Sequence, residues 1–128
     1  MVPRPLLDAV LGVAAAEPSI RALYLFGSQL SGDVRPDSDL DVGVLYRHPQ
    51  LLAFTVSLEA RLEEVVGRKV DVIDLARARP FLALEVVRGE RIFCRDETDT
   101  DRFEIYVLRR AGDLLPFERQ RQALLLGV

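Results

Sequence analysis

Residues 20–46 read IRALYLFGSQLSGDVRPDSDLDVGVLY, two apolar runs on either side of a polar one. Ile20–Phe26 is short, apolar and aromatic and stops at Gly27, which predicts a buried strand ending in a turn. Ser28 opens a helical turn that also takes in Gln29, Leu30 and Ser31. Residues 32–38 form a loop by their Gly, Pro, Asp and Ser content. Leu40–Tyr46, with Val42, Val44 and Leu45, predicts a second strand.

The chemistry of the stretch follows from those placements. Gly27 lacks a Cβ, so the backbone can turn tightly there and let a ligand approach. A helix start at Ser28 presents free N–H groups that favour phosphate oxygens, and the serine hydroxyl adds a donor. Asp39 and Asp41, two apart on a strand, point their carboxylates to one face while Leu40 and Val42 point to the other. Neighbouring carboxylates repel, so at least one is expected to titrate above its ordinary range. A divalent cation removes that cost. Hard oxygen donors without imidazole or thiolate suit Mg2+, with Mn2+ as a substitute. A third carboxylate from a neighbouring strand would complete a two-metal site for in-line phosphoryl displacement. Residues 69–74, KVDVID, hold two candidates of opposite parity, and parity leaves both Asp71 and Asp74 open.

Outward from this centre, helix-like and strand-like segments alternate. Pro5 suits a first helical turn, and Leu7, Val10, Leu11 and Ala14 recur at helical spacing up to Glu17-Pro18. His48-Pro49 marks a turn. Leu51, Leu58, Leu62 and Val65 predict a helix stopped by Gly67, followed by a strand over 70–75. Residues 80–88 suit a short helix stopped by Gly89, and 91–94 a fourth, short strand. From about Asp99 the spacing of Phe103, Val107, Ala111 and Leu114 predicts a last helix, kinked or ended by Pro116. The fold class is therefore α/β (α+β), a small mixed sheet of about four strands backed by helices. The 128 residues make one domain, with the candidate chemistry at about 20–75 and a C-terminal helical segment at about 98–128.

Composition narrows the function. With 49% hydrophobic and 29% charged residues the chain is globular, and its net charge of −3 argues against direct nucleic-acid binding. No apolar run reaches the roughly 20 residues of a membrane span, and Asp8 interrupts the apolar start, so a signal peptide is not expected. The expected location is the cytoplasm. One cysteine and one histidine exclude disulfide frameworks and any site that needs two of either. Cys94 reads as an inert core thiol, His48 as a surface turn residue, and Tyr24 and Tyr46 as structural. Asp74 reads as a strand-end or helix-capping carboxylate, and Asp33, Arg35 and Asp37 as loop residues. The apolar segments 114–117 and 123–126 suit either closure over the chain's own core or a docking surface for a subunit.

The segment GSQLSGDVRPDSDLDVGVL resembles the signature of the DNA polymerase beta-type nucleotidyltransferase superfamily: glycine-serine, ten residues, then aspartate-x-aspartate. Ser38 fits the serine that commonly precedes the first aspartate, and Val70-Asp71-Val72 fits the strand carrying the third acid. The resemblance thus selects Asp71 over Asp74. The short chain is similar to the minimal nucleotidyltransferases, the MntA-like antitoxins, and the likeness is specific over about residues 20–75. It implies Asp39, Asp41 and Asp71 as catalytic, metal-binding residues and Gly27, Ser28 and Ser38 as nucleotide-binding ones. It further implies Mg2+ (or Mn2+), ATP as substrate, and transfer of AMP to a tyrosine of a helical HEPN-type partner. The alternatives are a small-molecule nucleotidyltransferase of the aminoglycoside-modifying kind and a non-catalytic binding subunit. A homodimer is compatible with the sequence.

Overall fold

The computed structural model describes residues 2–27 and 39–126, with side chains as far as residue 112. The helical turn expected at Ser28–Ser31 and the loop that follows it, with Asp33, Arg35, Asp37 and Ser38, lie outside the described residues. The elements are α1 (Arg4–Ala16), β1 (Ile20–Phe26), β2 (Leu40–Tyr46), α2 (Leu52–Val66), β3 (Val70–Asp74), α3 (Pro80–Val87), β4 (Glu90–Cys94) and α4 (Glu97–Leu126). This is the mixed four-stranded sheet with helices that the sequence predicts. α4 covers most of the helical segment expected at about 98–128 and does not end at Pro116, and the bounds of β3, α3, β4 and the start of α4 differ from the expected ones by one or two residues. The apolar side chains of 114–117 and 123–126 lie outside the described side chains.

The sheet order is β3-β2-β1-β4. β1 pairs antiparallel with β2 and β4, and β2 pairs parallel with β3. A parallel pair needs a crossover, which α2 supplies. Both faces are covered, which explains why the central strands read as nearly continuous apolar runs. On one face Leu23 and Leu25 of β1, Val42 and Val44 of β2, and Val70 and Val72 of β3 pack against Val10 and Ala14 of α1 and Leu58 and Leu62 of α2. On the other, Ala22, Tyr24 and Phe26 of β1 and Leu45 of β2 pack against Ala83 and Val86 of α3 and Val107 of α4.

The edge strand β3 is closed by α2 rather than by another strand. Glu59 Oε2 accepts the Val72 N–H at 2.9 Å and Glu63 Oε1 accepts the Val70 N–H at 3.3 Å. These glutamates, one helical turn apart, satisfy two outward donors that an exposed edge would otherwise offer to another chain. On the second face, Tyr24 is fully buried and its hydroxyl donates to Glu104 Oε2 at 3.0 Å. Burial and the Glu104 charge push the Tyr24 hydroxyl well above its ordinary pKa. Arg91 donates to Asp101 Oδ1 at 2.8 Å and also to Glu104, so β1 and β4 are both tied to α4. Cys94 is half-buried rather than a full core residue, and its thiol donates to Thr100 Oγ1 at 3.4 Å.

Gly43 sets how closely α3 approaches the sheet. A Cβ there would stand 2.2 Å from Val86 Cγ1, and Val86 is fully buried. Gly43→Ala is therefore expected to destabilise the fold by about 1–3 kcal/mol through overpacking. Urea unfolding checks this, and an unchanged midpoint would contradict the close contact.

Candidate active site

The site sits where β1 ends and β2 begins. Asp41, the second residue of β2, is flanked across the sheet by Phe26 of β1 and Asp71 of β3. Opposed residues in a parallel pair share a face, and strands lie about 4.8 Å apart. Asp41 and Asp71 therefore stand side by side on the face that carries α3 and α4. Asp74 has the parity of Val70 and Val72 and belongs to the opposite face. There Asp74 Oδ1 accepts the Ala76 N–H at 3.1 Å and Oδ2 pairs with Arg77 at 3.5 Å, the strand-end role the sequence predicts.

Gly27 closes β1 with φ +77°, a left-handed conformation that suits a residue without a Cβ. The neighbour that uses the vacated space is Asp41: a Cβ on Gly27 would lie 2.5 Å from Asp41 Oδ2 and 3.3 Å from its Cγ. The sequence leads one to expect room for a ligand at this glycine. The structure shows that the room also seats the site's own carboxylate.

Asp41 titrates above the ordinary carboxylate range. Desolvation is the largest cause, followed by the charges of Asp71, Asp39 and Glu85. The raised carboxylate expected from paired acids is thus present, but burial contributes more than repulsion. Asp39 is exposed and immediately precedes β2, whose first N–H, from Leu40, is held by Lys69 O at 2.9 Å. Asp71 is half-exposed, and Lys69 Nζ lies 4.0 Å from its Oδ1. Glu85, on α3, carries no motif that marks it in the sequence, and the packing of α3 on the sheet brings its charge to Asp41. Ser28 and Ser38 lie outside the described residues.

Among the described residues, no three acidic, histidine or cysteine side chains stand together as a preformed metal cage. The donor set nevertheless suits Mg2+, which binds through one or two carboxylates and keeps waters and substrate phosphates as its other ligands. Asp41 beside Asp71, with Asp39 adding its charge, is an acidic cluster of that kind, and its mutual repulsion is relieved by a cation.

The glycine-ended strand, the aspartates at the start of the next strand and the acid in register on the third strand all fall inside one family match. The model of the polymerase beta nucleotidyltransferase domain matches residues 10–98, more than half of the chain. The chain belongs to the polymerase beta nucleotidyltransferase family. This nucleotidyltransferase is 26% identical over 109 residues to the protein adenylyltransferase MntA of Shewanella oneidensis, covering 84% of this chain and 76% of that protein. Its fold matches a crystal structure of a toxin-antitoxin with AMP-PNP at a TM-score of 0.74 and 22% identity, covering 93% of this chain and 94% of the other. It also matches a chain in the structure of the tri-AMPylated Shewanella oneidensis HEPN toxin in complex with MNT antitoxin. There the TM-score is 0.70 at 20% identity, covering 94% of this chain and 92% of the other. No helix among the described residues of this nucleotidyltransferase is long and apolar enough to cross a membrane.

Proposed function

We propose that this chain, as one cytoplasmic domain, transfers AMP from ATP to a tyrosine hydroxyl of a helical HEPN-type partner and acts as its antitoxin. The observation that carries the reading is Asp41, seated against left-handed Gly27 and in register with Asp71. The adenylyltransferase relative and the fold shared with an antitoxin bound to an AMPylated toxin supply the acceptor class.

In this reading the ATP phosphates lie against Gly27 and Ser28, with Ser38 beside them. Asp39, Asp41 and Asp71 would hold Mg2+, or Mn2+ in its place. When bound, the cation supplies charge neutralisation on the phosphates and polarisation of the α-phosphate. Asp71 stands near the incoming hydroxyl and either lowers its pKa or accepts its proton. The tyrosine oxygen forms a bond to the α-phosphorus, the bond from that phosphorus to the bridging oxygen of the β-phosphate breaks, and pyrophosphate leaves. Much of the acceleration comes from charge placed where the transition state develops it.

Incubation with ATP labelled on the α-phosphate, Mg2+ and a HEPN-type partner tests the reading. Label on a partner tyrosine, lost when Mg2+ is chelated, is the expected result. Label confined to a small-molecule acceptor, or a stable complex that takes up no label, would replace it with one of the alternatives.

A further inference from the structure

At the end of the sheet away from Asp41, a half-open cavity of about 430 Å3 is lined, among the described residues, by Arg21, Arg47, Arg95, Asp96 and Asp99. Arg21 lies at the start of β1 and Arg47 just past the end of β2, whereas Phe26 and Asp41 pair at the opposite ends of those strands. At about 3.3 Å per residue, the cavity is roughly 15–20 Å from the Asp41 carboxylate. It is a separate place on the molecule.

The three arginines are held differently. Arg95 is pinned by one edge: Nε donates to Ile20 O at 2.9 Å, and Nη2 to Ala14 O and Ala15 O at 3.0 Å and to Glu17 O at 3.3 Å. Its guanidinium also lies 5.2 Å from the centroid of the Phe93 ring. These acceptors are neutral carbonyls, so the positive charge is not cancelled, and the side chain is already ordered before any ligand arrives. Nη1 takes part in none of these bonds. Among the described residues, Arg21 lies 4.0 Å from Asp99, and its charge also acts on Asp96. Arg47 is exposed and, among the described residues, its side chain forms no hydrogen bond or ion pair. The two aspartates are engaged locally: Asp96 Oδ1 accepts the Asp99 N–H at 3.0 Å at the start of α4, and Asp99 faces Arg21 and Arg102.

We propose that this cavity is a second, anion-binding site that takes a phosphate group, free or as the terminal phosphate of a nucleotide, on Arg47 and Arg95 Nη1, with Arg21 adding charge. Guanidinium forks match phosphate oxygens in paired hydrogen bonds, and a pre-ordered fork loses little entropy on binding. Three guanidiniums set against two committed carboxylates leave a positive surplus suited to a compact anion. The described lining contains no aromatic ring on which a base would stack, so the phosphate carries the recognition.

Titration of the full chain with inorganic phosphate at constant ionic strength, followed through the arginine Nε–H signals in 15N NMR, tests the site. Saturable shifts of the Arg95 and Arg47 signals are expected, weakened about tenfold in Arg47→Ala and less in Arg47→Lys, which keeps the charge without the fork. Asp41→Asn leaves the titration unchanged. In that variant ATP is titrated in parallel. Saturation by phosphate assigns the free ion, and saturation by ATP alone assigns a nucleotide, both supporting the site. Shifts linear in concentration as with chloride, saturation indifferent to Arg47→Ala, or saturable shifts at other arginines with the Arg95 signal unmoved would each overturn it.

Discussion

Asp41→Asn is expected to lower AMP transfer at least about a thousandfold and at the same time to raise the melting temperature of the metal-free protein. In the proposed reading Asp41 would help hold the cation, and the loss follows from removing that charge from a reaction whose acceleration rests on electrostatic stabilisation. The gain follows from the cost of that charge in the folded state. Burial, Asp71, Asp39 and Glu85 all raise the Asp41 pKa, so the folded chain binds the proton more tightly than the unfolded one. The associated stability is present below about pH 4, the unfolded carboxylate value, and is lost as pH rises through the folded pKa. Burial contributes most of this cost, and because Asp71 is half-exposed, solvent screening keeps the repulsive part small. Thermal unfolding in EDTA at pH 7 and near pH 4 reads the effect. The variant gains at neutral pH, and the gain shrinks in acid. A lower melting temperature at pH 7, or transfer within tenfold of wild type, would contradict this placement of Asp41.

Gly27→Ala is expected to cut transfer about a hundredfold, the scale of loss that an ångström-sized displacement of a reacting group produces. The added methyl meets Asp41 Oδ2 at 2.5 Å, so the carboxylate must move. The left-handed φ at this position adds a backbone cost of about 1–2 kcal/mol. A double-mutant cycle separates displacement of Asp41 from general damage. If the glycine acts by seating the carboxylate, the alanine substitution costs little further activity in the Asp41→Asn background. A full additive loss there, or a single variant within a few-fold of wild type, would show that the close approach is not what matters.

Much of the fold was legible because its signals are local. Apolar runs that stop at Gly27, Gly67 and Gly89 mark element ends, and the alternation of helical and strand spacing gives the element order. The end of α4 was less legible, since a proline at 116 weakens a helix without forbidding it where neighbouring structure supports the backbone. Cys94 misled for another reason: an apolar neighbourhood in sequence does not reveal that its strand lies at the sheet edge.

By itself, the sequence determined the strand–glycine–loop–aspartate order and the hard, oxygen-only character of the acidic residues, because both depend on residue type and near-neighbour spacing. Tertiary structure decided which partners those residues meet. The pairing of β2 with β3 sets Asp71 beside Asp41 and turns Asp74 to the opposite face. The packing of α3 brings in the charge of Glu85, and the turn at Gly27 seats the Asp41 carboxylate. Strand register and helix docking arise from contacts between residues far apart in the chain, and no local pattern encodes them.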